Sequence, residues 1–146
     1  MPLDGSKNGE AVLPYIKELT GKLKSEVTLL QVVEPGKHVY TVGGLNCISF
    51  PEQELERLKT EAMQYLEKAS EKLANTRATV RSKVRIGHAA EEIIKFADET
   101  NTRLVAISSH GRSGVKRWIS GSVAYKVLHA GNTPVLLIRI PEIKSP

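Results

Sequence analysis

Two spacings of apolar residues divide this chain into helices and strands. Val12, Tyr15, Ile16, Leu19 and Leu23 recur every three or four residues, which places them on one face of a first helix. Ser6 is a candidate cap for that helix and Gly21 lies near its end. Pro14 leaves the carbonyl of Glu10 without its usual partner, so a kink or a late helix start is expected there. Glu26 to Val33 (EVTLLQVV) is aliphatic and β-branched and runs into Pro35-Gly36, the signature of a buried strand. Residues 35 to 50 mix Gly43-Gly44 with Tyr40, Cys47 and Phe50 and show no clear period, which predicts a loop or lid. After Pro51, Leu55, Leu58, Ala62, Leu66, Ala69 and Leu73 mark a long amphipathic helix. Acidic residues crowd its first turns, where the helix dipole favours them.

The second half alternates in the same way. From Thr79 to Ile86, the polar Thr79, Arg81, Lys83 and Arg85 alternate with Val80, Ser82, Val84 and Ile86, as in an edge strand with one wet face. The basic strip on that strand is the kind that discourages strand addition, a better reading than nucleic-acid contact. Ala90, Ile93, Ile94 and Ala97 define a short helix. Leu104 to Ile107 and Val135 to Ile140 are nearly unbroken aliphatic runs, suited to strands covered on both faces. Strands alternating with helices predict an α/β fold: an open, doubly wound sheet of mostly parallel strands with helices on both faces. Such sheets bind ligands at the carboxyl ends of their strands. The chemistry is therefore expected near Ser6, after Val33 and after Ile107.

Composition narrows the class. With 146 residues, 40% hydrophobic, the chain has the size of one domain spanning 1–146 with a single core. Twenty-one Lys and Arg against 16 Asp and Glu, a net charge of +5, is a mild basic excess and not a nucleic-acid signature. The single cysteine, Cys47, forms no internal disulfide and has no activating neighbour, and the chain opens without a secretory leader, so a cytoplasmic setting is expected. No apolar run approaches the roughly 18 residues of a membrane helix. His38, His88 and His129 have no metal-ligand spacing with Cys47, which argues against a zinc site.

The most informative stretch leaves the aliphatic run at Ile107 as Ser108-Ser109-His110-Gly111-Arg112-Ser113-Gly114, small residues that let a ligand approach backbone amides. Gly121-Ser122 follows, just before the helical pattern of Val123, Val127 and Leu128. A helix amino end with open amides and a serine is a phosphate site, and Arg112, Lys116 and Arg117 can add charge. Glycines that only make turns and a serine that only caps are the plainer alternative; the placement of both halves around one strand-to-helix connection favours an anion or nucleotide site. His110 can touch a phosphate or support catalysis, or it is a turn histidine whose ring bonds the backbone. Trp118 and Ile119 suit a core or interface better than a stacking platform. Asp4, before the first helix, reads on its own as a cap.

These residues resemble the universal stress protein family, whose ATP-binding members carry Gly, two residues, Gly, nine residues, Gly, then Ser or Thr. Here the spacing falls on Ser108, Gly111, Gly121 and Ser122, with Arg112 to Ser120 between the glycines and a serine in place of the first glycine. Pro2-Leu3-Asp4-Gly5-Ser6 resembles the family's opening turn, Leu30 to Glu34 the end of its second strand and Gly87 to Ile94 the end of its third. The resemblance implies a five-stranded sheet in the order 3-2-1-4-5. Its first strand is apparently truncated, since only Met1-Pro2-Leu3 precedes Asp4, and a chain start assigned late is the expected reason.

It also implies that Asp4, at the end of the Pro2-Leu3 segment, and the main chain of Val32 hold the adenosine, with Ile107 and Ser108 near base and ribose. Gly111, Gly121 and Ser122 would hold the phosphates, and Val123 and Ala124 would add backbone amides. ATP is the expected ligand, with Mg2+ carried on its phosphates, in preference to AMP. The last strand, 134 to 140, resembles the one through which family members form homodimers. The implied function is a stress-response regulator that binds ATP and a protein partner without fast hydrolysis, because a Walker lysine-serine or lysine-threonine pair is absent. An adenylate-handling enzyme would require an activating motif that the sequence lacks. A response-regulator receiver would require an aspartate where Gly87-His88 stands. The remaining alternative is a nucleotide-free dimerisation module whose pocket Ser108 has closed.

Overall fold

In the computed structural model, residues 1–22, 24–34, 36, 38–42, 45–49, 52–110 and 121–140 are described. Pro14 produces the late start its chemistry predicts: a 3-10 turn, Gly9–Val12, precedes helix α1, Leu13–Lys22. Val12 and Ile16 are buried as expected, but Tyr15 and Leu19 are exposed, and Leu13 and Thr20 take their places. The tight turn shifts the buried face, because its residues advance by three per turn and not by 3.6. Thr20 tolerates burial because its hydroxyl donates to the Ile16 carbonyl (2.7 Å). Leu23 lies outside the described residues.

Strand β1, Glu26–Val33, is followed by a correction to the sequence reading: two antiparallel strands, β2 (His38–Val42) and β3 (Leu45–Ser49), stand where a loop is expected. Helix α2 (Glu52–Glu71), β4 (Thr79–Ile86), α3 (Ala89–Glu99), β5 (Val105–Ser108), α4 (Ser122–Ala130) and β6 (Val135–Ile138) complete the order. β1 pairs in parallel with β4 over eight residues, and β5 with β6 over four.

Successive strand residues point to opposite faces, and the two buried clusters record this. Leu29, Ala106 and Ile138 pack with α1 and α2, through Leu13, Ile16, Leu66 and Ala69, and with Leu73 just past the end of α2. Leu30 and Val105 pack on the other side with α3 and α4, through Ala90, Ile93, Ala97 and Val127. The architecture is thus α/β, with parallel strand pairs between two helical layers. Leu29 and Leu66 are fully buried, so truncating either to alanine should cost about 2–5 kcal/mol.

A single five-stranded sheet is not what the described residues form; they form three two-stranded ladders. Next to β1, Met1 to Leu3 make one parallel bridge, Pro2 to Leu30. The Leu3 amide donates to the Leu30 carbonyl (2.8 Å) and the Leu30 amide to the Met1 carbonyl (2.9 Å). Three residues can complete that pair of bonds but not a full ladder. β6 also differs from expectation, since three of its four residues are only half-buried. It pairs with β5 alone, which leaves one flank open among the described residues.

Candidate functional site

At the carboxyl ends of β1 and β5 lies a cavity of about 640 Å³, within the size range of small-molecule sites. Its first wall is the turn after Met1-Pro2-Leu3. Asp4 Oδ1 accepts hydrogen bonds from the Ser6 amide (3.0 Å) and the Ser6 hydroxyl (2.6 Å), a local ring that short acidic side chains favour. The Ser6 hydroxyl in turn accepts the Gly9 amide (2.9 Å), so Ser6 caps the 3-10 turn. Gly9 is buried against this network, and a Cβ there would stand 2.5 Å from Asp4 Oδ1. Pro2, Leu3 and Asp4 line the cavity, and Val32 lines it from the end of β1. The next residue but one, Glu34, ties β1 to the far helical layer, because its carboxylate accepts the Ala89 amide at the start of α3 (2.6 Å).

The second wall is assembled from the backbone. Ser109 is fully buried and bonded on every side: its amide donates to the Ile138 carbonyl (2.8 Å), and its own carbonyl accepts the Gly121 amide (2.5 Å). Its hydroxyl accepts the Ile140 amide (3.1 Å) and meets His110 Nδ1 (3.0 Å). This residue therefore fixes the start of α4 against the end of β5. Gly121 is the cap residue, at φ −60° and ψ 154°, with Ser122 as the first helical residue. The Tyr125 amide is the first to reach back into the helix, to the Gly121 carbonyl (2.8 Å), so those of Ser122, Val123 and Ala124 have no intrahelical acceptor.

Ile107, Ser108, Gly121, Ser122, Val123 and Ala124 all line the cavity. The Ser108 hydroxyl donates to the His110 carbonyl (2.9 Å), a bond within its own turn. His110, with its ring against Ser109, is not part of the lining. Gly111 and Arg112 lie outside the described residues, as do Lys116, Arg117, Trp118 and Ile119.

Two lining residues carry signals that the sequence did not reveal. Gln31 Oε1 is buried without a hydrogen-bond partner among the described residues, whereas the buried Tyr65 Oη lies within reach of the Glu10 side chain and the Gly5 backbone. Unpaired buried oxygens are costly, and such groups in a cavity wall suit a ligand that pairs with them. Burial pushes the Tyr65 phenol well above its ordinary value of 10.0, and the negative charges of Glu10 and Asp4 push it further, so it stays an O–H donor. Gln31 also interrupts an otherwise aliphatic strand, the one sequence feature that could have marked it.

Comparison with known proteins gives a consistent answer. The Universal stress protein family matches residues 1–139. Universal stress protein YxiE of Bacillus subtilis is 30% identical over 142 residues, covering 94% of this chain and 95% of its own. Universal stress protein MJ0577 of Methanocaldococcus jannaschii is 28% identical over 148 residues, covering 94% and 91%. The solved MJ0577 structure superimposes with a TM-score of 0.76 at 24% identity, covering 97% of this chain and 94% of that one. More distant solved members of similar fold were determined with cAMP (TM-score 0.62, 16% identity), and with AMP in the Arabidopsis thaliana protein (0.59, 11%). The chain belongs to the universal stress protein family.

Proposed function

We propose that the cavity is an adenine-nucleotide site and that ATP is its ligand. The observation that carries the reading is the pairing of two unlike ends in one cavity: three amides without intrahelical acceptors at the start of α4, and the buried oxygen of Gln31, unpaired among the described residues. The amides of Ser122, Val123 and Ala124, at the positive end of the α4 dipole, suit phosphate oxygens. Asp4, the Val32 main chain, Ile107 and Ser108 would hold the adenosine, and Gln31 and Tyr65 would pair with its polar edge. Gly111 and Arg112 would add to the phosphate contacts, as the family's glycine spacing implies. The adenine nucleotides named for other family structures support this ligand class.

Mg2+ would arrive on the phosphates, since no group of three His, Cys, Asp or Glu among the described residues could hold a metal. The protein acts by occupancy and not by fast turnover, as a regulator in the cytoplasm that answers to stress through a protein partner. No helix among the described residues is long and apolar enough to cross a membrane. The family's five-stranded 3-2-1-4-5 arrangement would set Met1 to Leu3 in the central position between the β1-β4 and β5-β6 ladders, a reading supported by their bonds to Leu30. Homodimers form through residues 134–140, where the open flank of β6 needs cover.

Isothermal titration of nucleotide-stripped protein tests the reading. Magnesium ATP should bind in the micromolar range, about −8 kcal/mol, more tightly than AMP, with no heat from GTP. A folded protein silent to all three would leave the dimerisation module as the function.

A further inference from the structure

β4 offers an unpaired edge whose chemistry is legible in detail. The Thr79 amide donates to the Ser25 carbonyl (2.9 Å) and the Gly87 amide to the Val33 carbonyl (3.1 Å). In a parallel ladder a residue turns its N–H and C=O to the same side, so the odd positions face β1. The even positions, Val80, Ser82, Val84 and Ile86, therefore aim their N–H and C=O outward, where no strand receives them among the described residues. Beside this edge lies a groove of about 620 Å³ between α2 and α3. Its walls include Lys59, Lys83, Arg85 and Lys95, against the one carboxylate of Glu92. Lys83 makes no ion pair among the described residues. Lys59 is paired with Glu56 (2.5 Å), and Arg85 and Lys95 share Glu99 (2.5 and 3.9 Å), all in solvent-exposed pairs, which exchange partners at little cost.

We propose that this edge takes up an extended acidic peptide segment of a partner protein as an added strand. The outward N–H and C=O groups of the even positions would supply the main-chain ladder, and Lys83, Arg85 and Lys95 would select carboxylates. The same charges exclude a second copy of this chain, because pairing β4 with itself would set Arg81, Lys83 and Arg85 against their own kind. A nucleic acid could meet the cations but would leave the outward backbone groups without partners. The basic strip thus discriminates among strands instead of forbidding them all.

Fluorescence anisotropy with a labelled peptide of alternating valine and glutamate tests this. Binding should be saturable, and weakened about tenfold or more by the double substitution Lys83→Glu, Lys95→Glu, with nucleotide binding unchanged. Methylating alternate peptide amides should abolish it, as should Ser82→Pro, which removes an outward N–H. Absence of binding, equal binding of the methylated peptide, or indifference to the charge reversal would overturn the proposal. Displacement by oligothymidylate with Ser82→Pro still at wild-type affinity would also overturn it, making the groove a general anion surface.

Discussion

On one wall of the cavity the polar side chains are bonded to each other; on the other, the first backbone amides of a helix have no acceptor within it. Asp4, Ser6 and Gly9 form a closed chain of hydrogen bonds that holds the turn after Leu3 in one shape. Across the cavity, Ser109 performs the equivalent service from within the core, and the first amides of α4 have no acceptor within the helix. The contrast separates two tasks. A fixed frame of side chains suits recognition of a base and sugar, whose shape is constant, whereas an open row of amides suits phosphates, which need charge and close approach more than shape.

The sharpest break of this contrast is Gly121→Val. Its φ of −60° is open to any residue, so the fold should tolerate the change, with Tm lowered only by the roughly 1 kcal/mol that an apolar cap residue costs. The side chain would stand where phosphates approach the amides, and ATP affinity should fall roughly a hundredfold, about 2.7 kcal/mol. A large loss of Tm would show that Gly121 serves the fold instead. On the opposite wall, Gly9→Ala should do both kinds of damage. Its Cβ would displace the Asp4 carboxylate, costing about 1–3 kcal/mol in denaturant titration. Nucleotide affinity should drop about tenfold with it.

Gln31→Leu should move stability and affinity in opposite directions. Removing an unpaired buried oxygen should stabilise the free protein by about 1 kcal/mol, while ATP binds several-fold to about tenfold more weakly. Losses in both would mean that Gln31 has a structural partner. Tyr65→Phe should have the smallest effect, read from pH dependence. The folded phenol ionises only well above 10.0, so the unfolded chain loses its proton first, and stability should decline as pH rises past about 10. The phenylalanine variant should lack that part of the decline in a pH series of thermal melts.

Much of the scaffold was legible because its signals are local. The eight-residue alternation of Thr79 to Ile86, the aliphatic EVTLLQVV and the helical spacing from Leu55 to Leu73 each correspond to the element predicted. The β2–β3 pair has no single long period to announce it; its only local sign is that HVYTV and LNCIS flank Gly43-Gly44 in the sequence. The buried face of α1 was misassigned because a 3-10 turn ahead of Pro14 changed its phase. At the site, the glycine-serine spacing led to the wall between β5 and α4. Gly9, Gln31, Tyr65 and Ser109 were not legible, since their importance comes from neighbours distant in sequence: α2 brings Tyr65 beside Glu10 and Asp4, and the tie of Ser109 runs to Ile140 and Gly121.

The central claim is that the open amides at the start of α4 receive the phosphates of an adenine nucleotide. Amide shifts of nitrogen-15-labelled protein, followed during titration with ATP and separately with GTP, test it most directly. The account predicts that Ser122, Val123 and Ala124 move together with Val32 on adding ATP, saturating in the micromolar range, and stay in place with GTP. Shifts confined to other surfaces, or none at ATP concentrations that saturate the heat signal, would contradict it.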